Sequence, residues 1–395
     1  MYTPNLSEFK NFNLLHLLET CFGTPEQSQR VCILVDLPEL NLFSEMAFLQ
    51  NENFRVQAHA IDKFLNPLRG QVGRDFNVSK TEIFAYKTTY GSNLDPDDEA
   101  MNENGEIVSL DSDVYPNFDL ILAITDFSLT APLTAKAKEH GFRGATLHGL
   151  NDIILNSGLS VDYREVSKQA EVFRKVLTNS DYFTLEFETQ GQTFELKLHC
   201  NQQDAQKSHG LCPGIKPDVA NLPAGEVYFV PENAEGSFPF RYSDGTIAEM
   251  KVVNGAITEA VLIKGDDSLT TARNKQLRED PATGILGELG FGTQLLPFSG
   301  KDIQDEKIFG TCHVATGRSD HLGGNLTPEL FNSKMNASHD DILYAPPKTP
   351  EITVTSVSMF KNEQEQQIFS CYEPTPWLLD QISSVYPTEK FTTAV

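Results

Sequence analysis

The chain has 395 residues, 39% of them hydrophobic and 26 of them Phe, enough for two or three domains with sizeable cores. A net charge of -24, from 31 basic against 55 acidic residues, excludes a partner held by its phosphate backbone, so no nucleic acid is expected. The acidic field favours solubility and attracts cations, either metal ions or the ammonium group of a peptide.

No apolar run approaches the roughly 20 residues of a membrane helix, so no membrane contact is expected. The opening MYTPNLSEFKNFNLLHLLETCFG has no basic stretch before an apolar one and reads as an amphipathic helix, not a cleaved leader. The six cysteines form no CxxC pair, and His199, Cys200, His209 and Cys212 lack a standard zinc spacing. Free thiols and a cytoplasmic location are the expectation.

Up to about residue 160 the pattern alternates. RVCILVD (30–36), FRVQAHAI (54–61), EIFAYKTTY (82–90) and DLILAIT (119–125) read as strands, and 8–21, 130–140 and 149–157 as helices. This predicts an α/β fold whose N-terminal domain, 1–160, is a parallel sheet covered by helices. The acidic, turn-rich 92–113 reads as an exposed loop without EF-hand spacing. No GxGxxG follows the first strand, which argues against a dinucleotide.

VDYREVSKQAEVFRKVLT (161–178) reads as an amphipathic helix at the domain boundary. Alternating runs around Gln190-Gly191, Asp244-Gly245 and Asn254-Gly255 then predict hairpins, followed by a helix at SLTTARNKQLRED. Residues 161–345 are therefore expected to form a strand-rich α+β domain, and 346–395 a strand-rich C-terminal extension.

That second domain carries the candidate chemistry. GTCHVATGRSDHLGG (310–324) and SHDDILY (338–344) gather His313, Asp320, His321, His339 and Asp341 in a chain with only nine histidines. His339 and Asp341 are two apart, so on an extended chain both reach the same side while Asp340 points away. His313 lies in TCHVAT, which also reads as a strand. Glu226 opens a strand after Pro-Ala-Gly, and Glu288 stands among Gly287, Gly290 and Gly292, which allow close backbone packing. Mixed carboxylate and imidazole donors suit Zn, Mn or Co. More than four such ligands suggest two ions sharing an activated water.

ATLHGLNDIILNSGLSVDY, NLPAGEVYFVP, GELGFGTQ, DEKIFGTCHVATGRS, LGG and HDD occur here in an order and spacing that resemble the thermophilic-type metallo-aminopeptidases, the aminopeptidase T/S family. The resemblance runs from about 145 to 343. It implies metal ligands at Glu226, Glu288, His313, His339 and Asp341, two divalent ions (Zn, Co or Mn), a peptide or small-molecule substrate and a homodimer. It implies a hydrolase releasing N-terminal residues, with Glu288 accepting the proton of the attacking water.

Hydrolytic members carry Tyr seven residues after the T-x-H histidine, where this chain has Asp320. An ionised carboxylate cannot donate to an oxyanion, so Arg318 or His321 is the expected substitute donor, and Asp320 would be an extra ligand if it joins the metal group. Two other readings follow from the same motifs. One is a member that binds a peptide or small molecule with altered chemistry. The other is a mononuclear iron ring-cleaving dioxygenase, a branch expected to carry His where this chain has Glu288.

Overall fold

A computed structural model of the chain describes residues 1–387 and 391, so part of the expected extension 346–395 lies outside the described residues. The fold is α/β, with parallel and antiparallel sheets. The chain divides into two compact units: Asn5–Ser167 with His209–Ala224, and Met1–Pro4 with Lys168–Ser208 and Gly225–Val395. The division falls inside helix Tyr163–Leu177. No composition shift announces the return of 209–224 to the first unit.

The first unit is built on a seven-stranded sheet. Its order is Asp218–Asn221, Arg143–Thr146, Leu120–Ala123, Gln29–Leu37, Val78–Lys87, Glu99–Asn102, Ile107–Ser109. The first five are mutually parallel, and the last two turn antiparallel at the edge. Val31 to Leu37 are all buried, as befits a central strand covered on both faces.

Two expectations fail in this unit. FRVQAHAI is not a strand: Arg55–His59 is α-helical and helical turns continue to Asp75. Buried residues fall at 56–57, 60–61, 64–65 and 68, a helical period that continues past the short window suggesting a strand. The acidic 92–113 is not all loop. It contains the edge hairpin Glu99–Asn102 and Ile107–Ser109, turned at Gly105 (φ 79°) and anchored by fully buried Ala100.

The second unit holds an eight-stranded antiparallel sheet. Its order is Ala256–Lys264, Ile247–Val253, Asn233–Arg241, Gln192–His199, Tyr182–Thr189, Thr353–Lys361, Gln364–Ser370, Glu373–Pro374. Asn254 and Gly255 both have positive φ, 51° and 80°, as a tight two-residue hairpin requires. The C-terminal strands complete this sheet, Thr353–Lys361 pairing with Tyr182–Thr189. Phe173 of the helix packs edge-on against Phe291, Phe309 and Phe369 in the core.

The same unit carries a five-stranded antiparallel sheet: β1 (Gln206–Ser208), β2 (Glu226–Phe229), β3 (Leu286–Gly292), β4 (Cys312–Gly317) and β5 (His339–Tyr344). Its spatial order is β5-β4-β3-β2-β1. All six cysteines are free, and no described helix is long and apolar enough to cross a membrane.

Candidate metal centre

The register of this sheet brings the sequence-predicted ligands to one face. Glu226 on β2 lies opposite Gly292 on β3, and His313 on β4 lies between Gly290 on β3 and Leu343 on β5. Ala315 lies between Glu288 and Asp341, and Gly317 opposite His339. Directly opposed residues share a face, as do residues two apart along a strand. Glu226, Glu288, His313, His339 and Asp341 therefore all project to one side.

The remaining positions between them are small: Gly290, Gly292, Ala315 and Gly317. Their size makes room for the larger groups. A Cβ built on Gly290 would fall inside the imidazole of His313, so the ring can lie across β3 only because residue 290 is glycine.

Two overlapping groups result. Ligand atoms of Glu226, Glu288 and His313 lie within 4.8 Å of one another, and so do those of Glu288, His339 and Asp341. Glu288 joins the two: its Oε1 is 3.4 Å from His313 Nε2 and its Oε2 is 3.0 Å from His339 Nε2. His339 Nε2 is also 3.3 Å from Asp341 Oδ1. Glu226 Oε2 is 3.7 Å from His313 Nε2. Glu226, Glu288, His313 and His339 are buried, whereas Asp341 is exposed, so the group opens to solvent on its β5 side.

The electrostatics follow from this packing. Burial pushes the Glu288 carboxyl up, but the adjacent His313 and His339 imidazoles outweigh it and hold the group well below the usual carboxylate range. Burial pulls His313 down, yet its bond to Glu288 and the nearby carboxylates push it up to about 9. His339 is raised well above its ordinary value, with Asp341 and Glu288 outweighing burial.

The donor set fits a divalent ion. His339 Nδ1 lies 2.6 Å from the carbonyl oxygen of Arg318. A carbonyl only accepts, so Nδ1 carries the hydrogen and Nε2 faces the carboxylates with its lone pair available for a metal. His313 Nδ1 is buried without a hydrogen-bond partner among the described residues, and its Nε2 likewise faces the carboxylates. Imidazole nitrogen and carboxylate oxygen suit Zn, Mn or Co.

Two further residues stand at the centre. Lys307 Nζ is 2.6 Å from Glu226 Oε1 and 2.5 Å from Glu306 Oε1, with its side chain 1% exposed. Burial lowers the ammonium's pKa, but Glu226 and Glu306 outweigh that and raise it. Burial raises the Glu306 carboxyl.

The turn that places them is tightly tied. Asp305 accepts from the backbone N–H groups of Ser299 and Gly300 at 2.7 and 3.0 Å. The Lys307 carbonyl accepts from Gln294 N–H at 2.8 Å, and the Thr311 hydroxyl donates to the Ile308 carbonyl at 2.7 Å. The DEK run before T-x-H was the available signal for Glu306 and Lys307, but adjacent opposite charges ordinarily mean a solvated surface.

Asp320 lies in neither ligand group among the described residues. Arg318 holds it, with Nε 2.8 Å from Oδ1 and Nη2 3.3 Å from Oδ2. Burial raises this carboxyl, but the nearby His321 ring and the hydrogen bonds from Arg318 outweigh it and lower it strongly. Arg318 is itself 3% exposed. The buried His321 ring meets that of His339 edge-on at 5.0 Å between centroids.

Beyond Ser319 lies a cavity of about 700 Å³, lined by Ile285, Leu286, Gly323, Asn325, Leu326 and Leu330 among others.

Residues 159–340 match the family model of the thermophilic metalloproteases, M29. The matched residues include Glu226, Glu288, His313 and His339 of the two candidate ligand groups. No curated protein is matched by the sequence. A solved structure, the 2,5-dihydroxypyridine dioxygenase from Pseudomonas putida, is similar over 92% of this chain and 97% of that one, with TM-score 0.57 and 11% identity. At that identity the likeness shows the fold alone.

Proposed function

We propose that the chain is a divalent-metal-dependent hydrolase that releases N-terminal residues from peptides, with a centre for two ions joined by Glu288. The observation that carries this reading is the convergence of five carboxylate and imidazole side chains on one face of one sheet, with Glu288 common to both groups. Glu226, Glu288 and His313 would hold one ion, and Glu288, His339 and Asp341 the other. Bound there, a divalent ion supplies Lewis acidity: it polarises a carbonyl and makes water a nucleophile near neutral pH.

The chain's own residues do the rest. Glu288 faces both groups and is the carboxylate placed to take the proton from the attacking water. The Arg318 carbonyl keeps His339 in its metal-binding tautomer. Exposed Asp341 lies on the side from which a peptide would arrive. Further parts of this reading are a cytoplasmic homodimer and a substrate with a free amino terminus.

A second reading is favoured by one observation, the Arg318–Asp320 pair. At the position where hydrolytic relatives are expected to carry a hydroxyl, Asp320 occupies the Arg318 guanidinium. Such a member binds peptide or small molecule with altered chemistry. The test is elemental analysis for Zn, Mn, Co and Fe with a panel of aminoacyl amides, before and after chelation. Chelator-sensitive release of the N-terminal residue supports the first reading. Bound metal without turnover supports the second, and a single iron with oxygen consumption supports a ring-cleaving dioxygenase instead.

A further inference from the structure

We infer that Lys307 is a built-in cation that makes the two metal positions unequal: Glu288, His339 and Asp341 load first, and Glu226, Glu288 and His313 take an ion only when Lys307 gives up Glu226. The inference rests on the metal-centre reading and concerns the order and strength of loading. Its foundation is geometric. The Lys307 ammonium is 2.6 Å from Glu226 Oε1, an oxygen that a metal at the second position would use or crowd.

The ammonium is firmly placed. Its side chain is 1% exposed, and Glu306 holds it from a second direction at 2.5 Å. The backbone beneath it is fixed by the Gln294 N–H bond to the Lys307 carbonyl. The turn is also seated against β3, because a Cβ on Gly292 would overlap the Ile308 carbonyl oxygen. Drawing an ammonium so enclosed away from Glu226 carries a cost, which an ion at the second position must meet.

Two consequences follow from elementary electrostatics. The ammonium already neutralises charge on Glu226, so less remains to attract an incoming divalent ion. A divalent ion arriving within a few ångströms of a fixed positive charge is also repelled, and repulsion in a buried site is poorly screened. Among the described residues, no lysine is paired with Glu288, His339 or Asp341 as Lys307 is with Glu226. His339 is backed by a carbonyl, and Asp341 faces solvent where an ion can arrive.

The experiment is a titration of metal-stripped full-length protein with Co²⁺. Calorimetry would give stoichiometry and affinity, and the visible cobalt spectrum the ligand field of each step. Wild type is expected to bind one equivalent tightly and a second about 10-fold or more weakly. Lys307→Met should tighten the second step by about 10-fold while leaving the first unchanged. Glu226→Gln should abolish only the second step.

The wild-type isotherm decides by itself if Lys307→Met does not fold. Two equal equivalents in wild type would overturn the inference while leaving the metal centre intact. An unchanged second step in folded Lys307→Met would do the same. Failure of every variant, and of wild type, to bind cobalt would overturn the metal-centre reading and the inference with it.

Discussion

The Nδ1 hydrogen of His339 is donated to the backbone carbonyl of Arg318 across 2.6 Å, which leaves Nε2 facing Glu288 and Asp341. The strand that ends at Gly317 thus orients a side chain on its neighbour. Asp341 belongs to one of the two ligand groups and Glu288 to both, so in the proposed two-ion centre Asp341 would serve one position and Glu288 each of them. Asp341→Asn should therefore weaken one metal step and spare the other. Glu288→Gln should weaken both and lower kcat/KM by about 100-fold to 10,000-fold, the range for losing a proton acceptor. Metal stoichiometry and steady-state kinetics on the two variants check this, and equal effects from both would contradict it.

Gly290 tests the packing beneath the chemistry. A methyl group there would occupy the space of the His313 ring. Gly290→Ala should cost about 1–3 kcal/mol by overpacking. It should also displace His313 and lower metal affinity at the Glu226 side. Chemical denaturation and cobalt titration read the two effects separately. A variant with wild-type stability and metal binding would show that the ring does not need this gap.

Much of this was legible in the sequence, and the unread parts have physical causes. The i, i+2 spacing of His339 and Asp341 survives translation into structure because a strand has a period of two. The glycines around Glu288 were readable as close packing, although not that Gly290 would receive His313. Convergence of β2, β3, β4 and β5 was not readable, since strand order is a long-range property. Lys307 escaped notice because Glu306-Lys307 looks like a solvated pair until burial is known. FRVQAHAI misled because eight residues cannot separate a short apolar strand from a buried helix. The Arg318–Asp320 pair is hidden in the same way, because the fork between them forms only when the chain turns after Gly317.

Asp320 should be dispensable for metal. It lies outside both ligand groups and is held by Arg318. Asp320→Asn is expected to keep wild-type cobalt stoichiometry and to lose no more than about 1 kcal/mol of stability, as for a partly exposed ion pair. Asp320→Tyr places a hydroxyl donor where the carboxylate stood. It should raise kcat on aminoacyl amides by up to about 100-fold if the oxyanion lacks a donor in wild type. Unchanged turnover would show that Arg318 or His321 already supplies it.

The metal-stripped protein should be least stable at alkaline pH. His313 is pushed up to about 9, so the fold favours its protonated ring. That contribution is fully present below about pH 6.5 and is lost as pH rises through 9, on the order of 3 kcal/mol. Glu306 acts in the same direction, because burial raises its pKa and ionisation above the usual carboxylate range then opposes folding. Metal binding needs neutral imidazole, so affinity should instead increase over the same interval. Denaturation midpoints at pH 6.5 and 9, with and without cobalt, measure both trends. A stripped protein more stable at pH 9 than at 6.5 would contradict the assignment.

The most direct measurement compares a peptide bearing a free amino terminus with the same peptide N-acetylated, using protein stripped by chelation and then reloaded with Zn²⁺, Co²⁺ or Mn²⁺. The account predicts release of the N-terminal residue from the free peptide by reloaded protein, and none from the acetylated peptide or by stripped protein. Metal bound at Glu226, Glu288, His313, His339 and Asp341 without release from either peptide would contradict it.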